Sequence, residues 1–140
     1  MNAPLYTLEV LRLAASLPDP VSLPDADGSA QLRSPTCGST VETWVTLDPQ
    51  GRIEALSQAV QACAFGQAAA ALVAEHAPGR RREQIEAAVT GLEQWLDGRQ
   101  MTPAWPGIEA LAPVRSRRSR HGAVLLPFKA LLAAIDSSGR

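Results

Sequence analysis

Leu5, Leu8, Leu11 and Ala15 recur at helical spacing, which predicts a short amphipathic helix over residues 5–16, ending before Pro18. Residues 17–36 are rich in Pro, Asp, Gly and Ser. They read as a flexible loop or extended segment with an edge strand near residues 30–33. Residues 41–47 alternate: Val41, Thr43, Val45 and Leu47 face one way, Glu42, Trp44 and Thr46 the other. Asp48-Pro49-Gln50-Gly51 has the residues of a turn, and residues 53–62 read as a second strand. The two strands predict an antiparallel hairpin. After Cys63 the period changes. Residues 64–76 are alanine-rich and helix-favouring, closed by Pro78-Gly79. Residues 81–97 place Ile85, Ala88, Val89, Leu92, Trp95 and Leu96 on one face of a helix that Gly98 stops. Residues 99–113 carry three prolines and read mostly as loop, with a turn of helix at 107–111. Residues 123–136 form the last helix, with a stripe of Val124, Leu125, Phe128, Leu131, Leu132 and Ile135. Proline is tolerated in the first turn of a helix, so Pro127 sets its start near Ala123 and leaves His121 in the preceding loop. Strands first and helices afterwards give an α+β fold: a small, mostly antiparallel sheet of about three strands packed against helices.

A chain of 140 residues, 46% apolar and 19% charged, fits one globular domain over 1–140, with 137–140 as a C-terminal tail. Thirteen basic against 14 acidic residues give a net charge of −1, which argues against nucleic-acid binding. No apolar run approaches the ~18 residues of a membrane span, and no basic segment opens a secretory signal. Two cysteines do not make a disulfide framework, so the expectation is a cytoplasmic protein with both sulfurs as thiols.

Cys37, Cys63 and His121 are the soft or borderline metal ligands that stand out. Their spacing alone specifies no zinc site, because there is no C-x-x-C and no H-x-x-x-H. Their positions say more. Cys37 lies beside Gly38 just before the first hairpin strand. Cys63 lies where the second strand becomes a helix, and free N–H groups there favour negative charge. A hairpin brings those two points to one end of the sheet. The plainer reading competes: a lone cysteine is most often a small hydrophobe, and a loop histidine is most often solvated. Arg115, Arg117, Arg118 and Arg120 form a basic run that reads either as a solvated loop or as a dock for an acidic partner. No aromatic residues interleave with the arginines, and Trp44, Trp95 and Trp105 read as packing residues. Met101 and His76 carry no visible functional signal.

The order of these pieces resembles the IscU/NifU N-terminal family of iron–sulfur cluster assembly scaffolds over about residues 5–136. Thr36-Cys37-Gly38-Ser39 is similar to the family's first cysteine turn, with Ser39 where the family carries aspartate. Gln61-Ala62-Cys63-Ala64-Phe65-Gly66-Gln67-Ala68 is similar to the second cysteine motif. Leu111-Ala112-Pro113-Val114-Arg115 resembles the L-P-P-V-K segment that binds a specialised Hsp70 in the IscU branch, with one proline missing. Arg120-His121-Gly122 resembles the third cysteine region, with His121 or Gly122 in place of the cysteine. These features also resemble a variant scaffold subgroup of alphaproteobacteria.

The resemblance implies an IscU/SufU-like domain that acts as a scaffold or carrier rather than an enzyme. It implies iron or an Fe–S cluster, or alternatively Zn²⁺, at Cys37, Cys63 and His121, with Ser39 a further candidate ligand. The implied partners are a cysteine desulfurase, an Hsp70-type chaperone and apo-protein acceptors. Pro113, Val114, Arg115, Arg117, Arg118 and Arg120 are the candidate docking residues, on a monomer or weak homodimer without nucleic acid or membrane. Two other readings remain open. One is a degenerate paralogue that acts as an adaptor without a cluster. The other is a thiol enzyme with Cys63 as nucleophile and His121 as base, or, between the two, a cysteine that accepts sulfur.

Overall fold

The computed structural model describes residues 6–35 and 38–139. In chain order its elements are α1 (Leu8–Ala15), β1 (Gly28–Arg33), β2 (Thr40–Leu47), β3 (Ile53–Gln61), α2 (Ala64–His76) and α3 (Arg82–Leu96). Two 3-10 segments, Ile108–Ser116 and Arg118–Arg120, lead into α4 (His121–Ser137). The three strands form one antiparallel sheet in the order β1-β2-β3, as the α+β reading requires.

The alternation of β2 is realised in full: Val41, Thr43, Val45 and Leu47 are buried and the residues between them are half-buried. The turn follows its residue types. Asp48 Oδ1 accepts from the amides of Gln50 and Arg52 at 2.9 and 2.8 Å. Gly51 takes φ +82°, a region glycine enters without a Cβ penalty. β1 is an edge strand somewhat longer than expected. The chain before it lies across the outer face of the sheet, where Val21 N donates to Ser57 Oγ at 2.8 Å. Asp27 Oδ2 accepts from Leu47 N, and Asp27 N donates to Val45 O.

The alanines of α2 serve more than helix propensity. Phe65 and Gly66 and the run from Ala68 to Val73 are buried on every side, so α2 is the central helix, packed against α1, α4 and β3. Small side chains let the neighbouring elements approach that closely. α3 is amphipathic as its spacing predicts, with Ile85, Val89, Leu92, Trp95 and Leu96 buried. Trp105 joins the layers: its indole N–H donates to Leu72 O at 3.1 Å, and its ring meets Phe128 edge-on at 5.1 Å.

Two local expectations change. The turn of helix expected at 107–111 is a 3-10 run over Ile108–Ser116 that buries Ile108, Leu111 and Val114. α4 begins at His121 rather than near Ala123, so Pro127 lies in its second turn. Pro127 has no N–H for the carbonyl of Ala123, four residues earlier. That carbonyl faces α2 instead, 3.2 Å from where a Cβ on Gly66 would stand. Burial of the apolar face of α4 on both sides of Pro127 outweighs the missing bond. Among the described residues no helix is long and apolar enough to cross a membrane.

Candidate functional site

The sheet register fixes where the first two candidate ligands converge. Arg33 at the end of β1 pairs with Thr40 at the start of β2, and Thr40 pairs with Gln61 at the end of β3. The 34–39 connection and the exit of β3 into Ala62 and Cys63 therefore share one end of the sheet. Ser34 N donates to Ser39 O at 2.8 Å and Gly38 N to Ser34 O at 3.0 Å, while Gly38 takes φ +72°. These bonds draw the described flanks of the connection, Ser34 and residues 38–39, together. Thr36 and Cys37 themselves lie outside the described residues. Ser39 is buried, 6% exposed, and has an interaction of its own.

Cys63 is the N-cap of α2, with extended backbone and a half-buried free thiol whose side chain makes no capping bond. Gln67 steadies the junction: its amide donates to Cys63 O at 2.9 Å and its Nε2 to Ala62 O at 3.0 Å. The sulfur is thus presented at the helix N-terminus, where unsatisfied amides and the helix dipole stabilise negative charge.

α4 brings its own N-terminus to this end of the sheet. Gly28 at the start of β1 lies under Ala134 and Ser137, while Val41 at the start of β2 packs with Leu126 and Ala130. α4 therefore runs with its first turns over the 34–41 end. Ala123 abuts Gly66, three residues into the chain after Cys63.

His121 faces elsewhere. Its Nε2 lies 3.0 Å from Val114 O and 3.1 Å from Arg115 O, both acceptors only. The ring proton therefore sits on Nε2, and the free lone pair is at Nδ1. The ring lines a cleft with Leu96, Asp97 and Leu125, beside the end of α3. Ala123 is two residues further, roughly 200° around the helix. His121 thus joins α4 to the 3-10 segment, on the side away from the α2 contact. Among the described residues, no three His, Cys, Asp or Glu side chains gather as a metal site.

The docking candidates divide by burial. Val114 is fully buried and Pro113 half-buried. Arg115 donates to Trp95 O at 2.9 Å and Arg99 O at 2.8 Å, with its guanidinium 5.1 Å from the Trp95 ring. It satisfies carbonyls at the end of α3. Arg117 and Arg118 are exposed, Arg120 is half-buried at the N-cap of α4, and none makes an ion pair among the described residues. The partner that Ala123 finds in Gly66 escapes sequence reading. Its only trace is a glycine inside an alanine-rich helix, three residues after Cys63.

No family model matches the chain, and no curated protein matches it in sequence. Solved structures do. The chain is similar to a nitrogen-fixing NifU-like protein (N-terminal) from Brucella abortus, with 26% identity and a TM-score of 0.89 over 96% of this chain and 94% of that one. It is also similar in fold to a proposed iron–sulfur cluster assembly scaffold protein for the SUF system from Fervidobacterium islandicum. There the identity is 19% and the TM-score 0.82, over 94% of this chain and 96% of that one. The resemblance in the order of elements is thus matched in three dimensions, and the chain is similar in fold to a NifU-like protein and to a proposed scaffold protein for the SUF system.

Proposed function

We propose that this protein is a scaffold or carrier in iron–sulfur cluster assembly, not an enzyme. Its cargo is iron or an Fe–S cluster, held by Cys37 and Cys63 at the common end of the sheet. The observation that supports this reading is the register that brings Arg33, Thr40 and Gln61 to one end of the sheet, next to the N-cap cysteine of α2, in a fold shared with NifU-like and SufU-type proteins. Thiolates are the normal ligands of such clusters, and a histidine replaces them on one iron in some. The same donors suit Zn²⁺. Ser39 adjoins the turn as a further ligand. His121 joins the set only after its ring leaves the carbonyls of Val114 and Arg115.

A site with few protein ligands suits transient loading and handover. A cysteine desulfurase supplies sulfur to it, and apo-proteins accept the product. Arg117, Arg118 and Arg120 present charge to an acidic partner in the cytoplasm, and an Hsp70-type chaperone is a further partner. The test is anaerobic reconstitution with iron and sulfide, read by visible absorption and metal content. The wild type is expected to develop a chromophore that Cys37→Ala and Cys63→Ala each abolish. A smaller loss in His121→Ala would measure its share of the ligation. A wild type that takes up neither iron nor zinc would overturn the reading.

A second reading has its own observation. The side chain of α4 that abuts the first turn of α2 is Ala123, which has no ligand atom, and the His121 ring is turned away. That arrangement favours an adaptor without a cluster. Partner binding that survives Cys37→Ala together with Cys63→Ala distinguishes it.

A further inference from the structure

A cavity of about 390 Å³ opens between α3 and residues 99–105, and none of the candidate ligands above lines it. Its floor is the exposed side of α3, where Ala87, Ala88 and Gly91 offer little or no side chain. Pro103 faces Gly91 so closely that a Cβ added there would stand 3.7 Å from the proline Cβ. Trp105 closes the inner side, and Met101, 85% exposed, belongs to the outer rim. The volume lies within the range of small-molecule sites, roughly 300–1,000 Å³.

The charge in this cavity is of one sign. Arg80 and Arg99 line it, and no described residue lining it is acidic. The Arg80 guanidinium lies 4.4 Å from the centre of the Trp105 ring, and its Nε donates to His76 O at 2.7 Å. That bond uses one of five N–H groups and leaves the terminal nitrogens for another acceptor. Trp105 is itself fixed by Leu72 O and by Phe128. The cation is therefore held in place before any ligand arrives, which lowers the ordering cost of binding. Arg99 is exposed, and its side chain makes no ion pair among the described residues.

We propose that this cavity binds a small organic monoanion, a carboxylate carried on a flat apolar body. Arg80 and Arg99 lend the cavity the positive charge that holds the carboxylate, and the body lies on the alanine floor. The apolar floor calls for an apolar body, and the two arginines call for an acidic group on it. The site is independent of the cysteines, so it stands or falls apart from the scaffold reading.

The experiment is a titration of the full chain with 2-naphthoate, and separately with neutral 2-naphthamide, followed by the amide N–H of Gly91 and the indole N–H of Trp105 in NMR spectra. Naphthoate is expected to shift both signals saturably at submillimolar concentration. The amide should bind at least about tenfold more weakly, since a charge-assisted bond is lost. Arg99→Glu should weaken naphthoate by at least about tenfold and leave the amide unchanged. Ala87→Leu, which fills the floor from an exposed position, should weaken both. Arg99→Gln repeats the charge test should the reversal disturb folding. The proposal is overturned if neither signal shifts saturably, if acid and amide bind alike, or if both Arg99 variants bind naphthoate as the wild type does.

Discussion

Gly66 stands where three parts of the candidate site meet: the exit of β3, the first turn of α2 and the first turn of α4. A Cβ added there would lie 2.6 Å from Ala62 Cβ, 3.2 Å from Ala123 O and 3.5 Å from Ala123 Cβ. Ordinary carbon contacts begin near ~3.5 Å, so the first overlap is about 1 Å and involves no flexible side chain. Gly66→Ala therefore forces α2, carrying Cys63, to shift against the strand exit. Overpacking of this kind costs about 1–3 kcal/mol, while replacing a helical glycine by alanine returns at most about 1 kcal/mol. The expected net effect is a destabilisation of about 1–2 kcal/mol, or a fall in Tm of about 3–8 °C for a chain of this size. The cause is tested by a double-mutant cycle with Ala62→Gly, which removes the atom at 2.6 Å. The cycle should show a favourable coupling of about 1 kcal/mol, measured by urea unfolding followed by circular dichroism. A Gly66→Ala protein as stable as wild type, or a coupling within about 0.3 kcal/mol of zero, would refute the close approach of α2 to the strand exit at Ala62.

Trp105→Phe removes the bond to Leu72 O and part of the indole that supports Arg80. It should cost about 2–3 kcal/mol in chemical unfolding, and a loss under about 0.5 kcal/mol would count against a buried, bonded indole. Arg115→Ala removes a donor from the Arg99 carbonyl and leaves the Trp95 carbonyl to the backbone N–H of Gly98. A loss of about 1–2 kcal/mol is expected, whereas unchanged stability would mean that this arginine serves partners and not the fold. The Arg82 guanidinium, by hydrogen bond first, holds the Asp136 carboxyl below its ordinary range. A depressed carboxylate stabilises the fold above its unfolded pKa, and that contribution is lost as pH falls through the folded value, here below about pH 4. Both side chains are more than a third exposed, so the effect is small. The stability gap between wild type and Asp136→Asn should narrow from pH 7 to pH 3, and a gap that stays constant would contradict the pairing.

Local regularities were legible because each rests on near neighbours in the chain. The alternation of residues 41–47, the turn at Asp48–Gly51 and the apolar face of α3 are period and turn effects. They need no knowledge of what packs against them. The position of Cys63 at a strand-to-helix junction followed from the same change of period. The expectation that Cys37 meets Cys63 there rests on the same hairpin; the pairing of Thr40 with Gln61 brings the flanking strand ends together, and Cys37 itself lies outside the described residues.

The length of α4, the 3-10 run and the aim of His121 were not legible, because each depends on contacts distant in sequence. Pro127 argues for a late helix start if only the missing N–H is weighed. Burial of the same helix against β1, β2 and α2 weighs the other way. Val114 and Arg115 read as a docking segment, yet one fills the core and the other satisfies the end of α3. The cavity between α3 and residues 99–105 has no trace in the periodicity, since it is assembled from an exposed helix face and a proline-rich connection. By itself, then, the sequence determined the elements, the end of the sheet at which Cys63 leaves β3 and the family the motifs resemble, because local periodicity and short motifs encode these. Only the tertiary structure decided which side of α4 meets α2, where the His121 ring points and which arginines remain for a ligand, because packing across the core sets those directions.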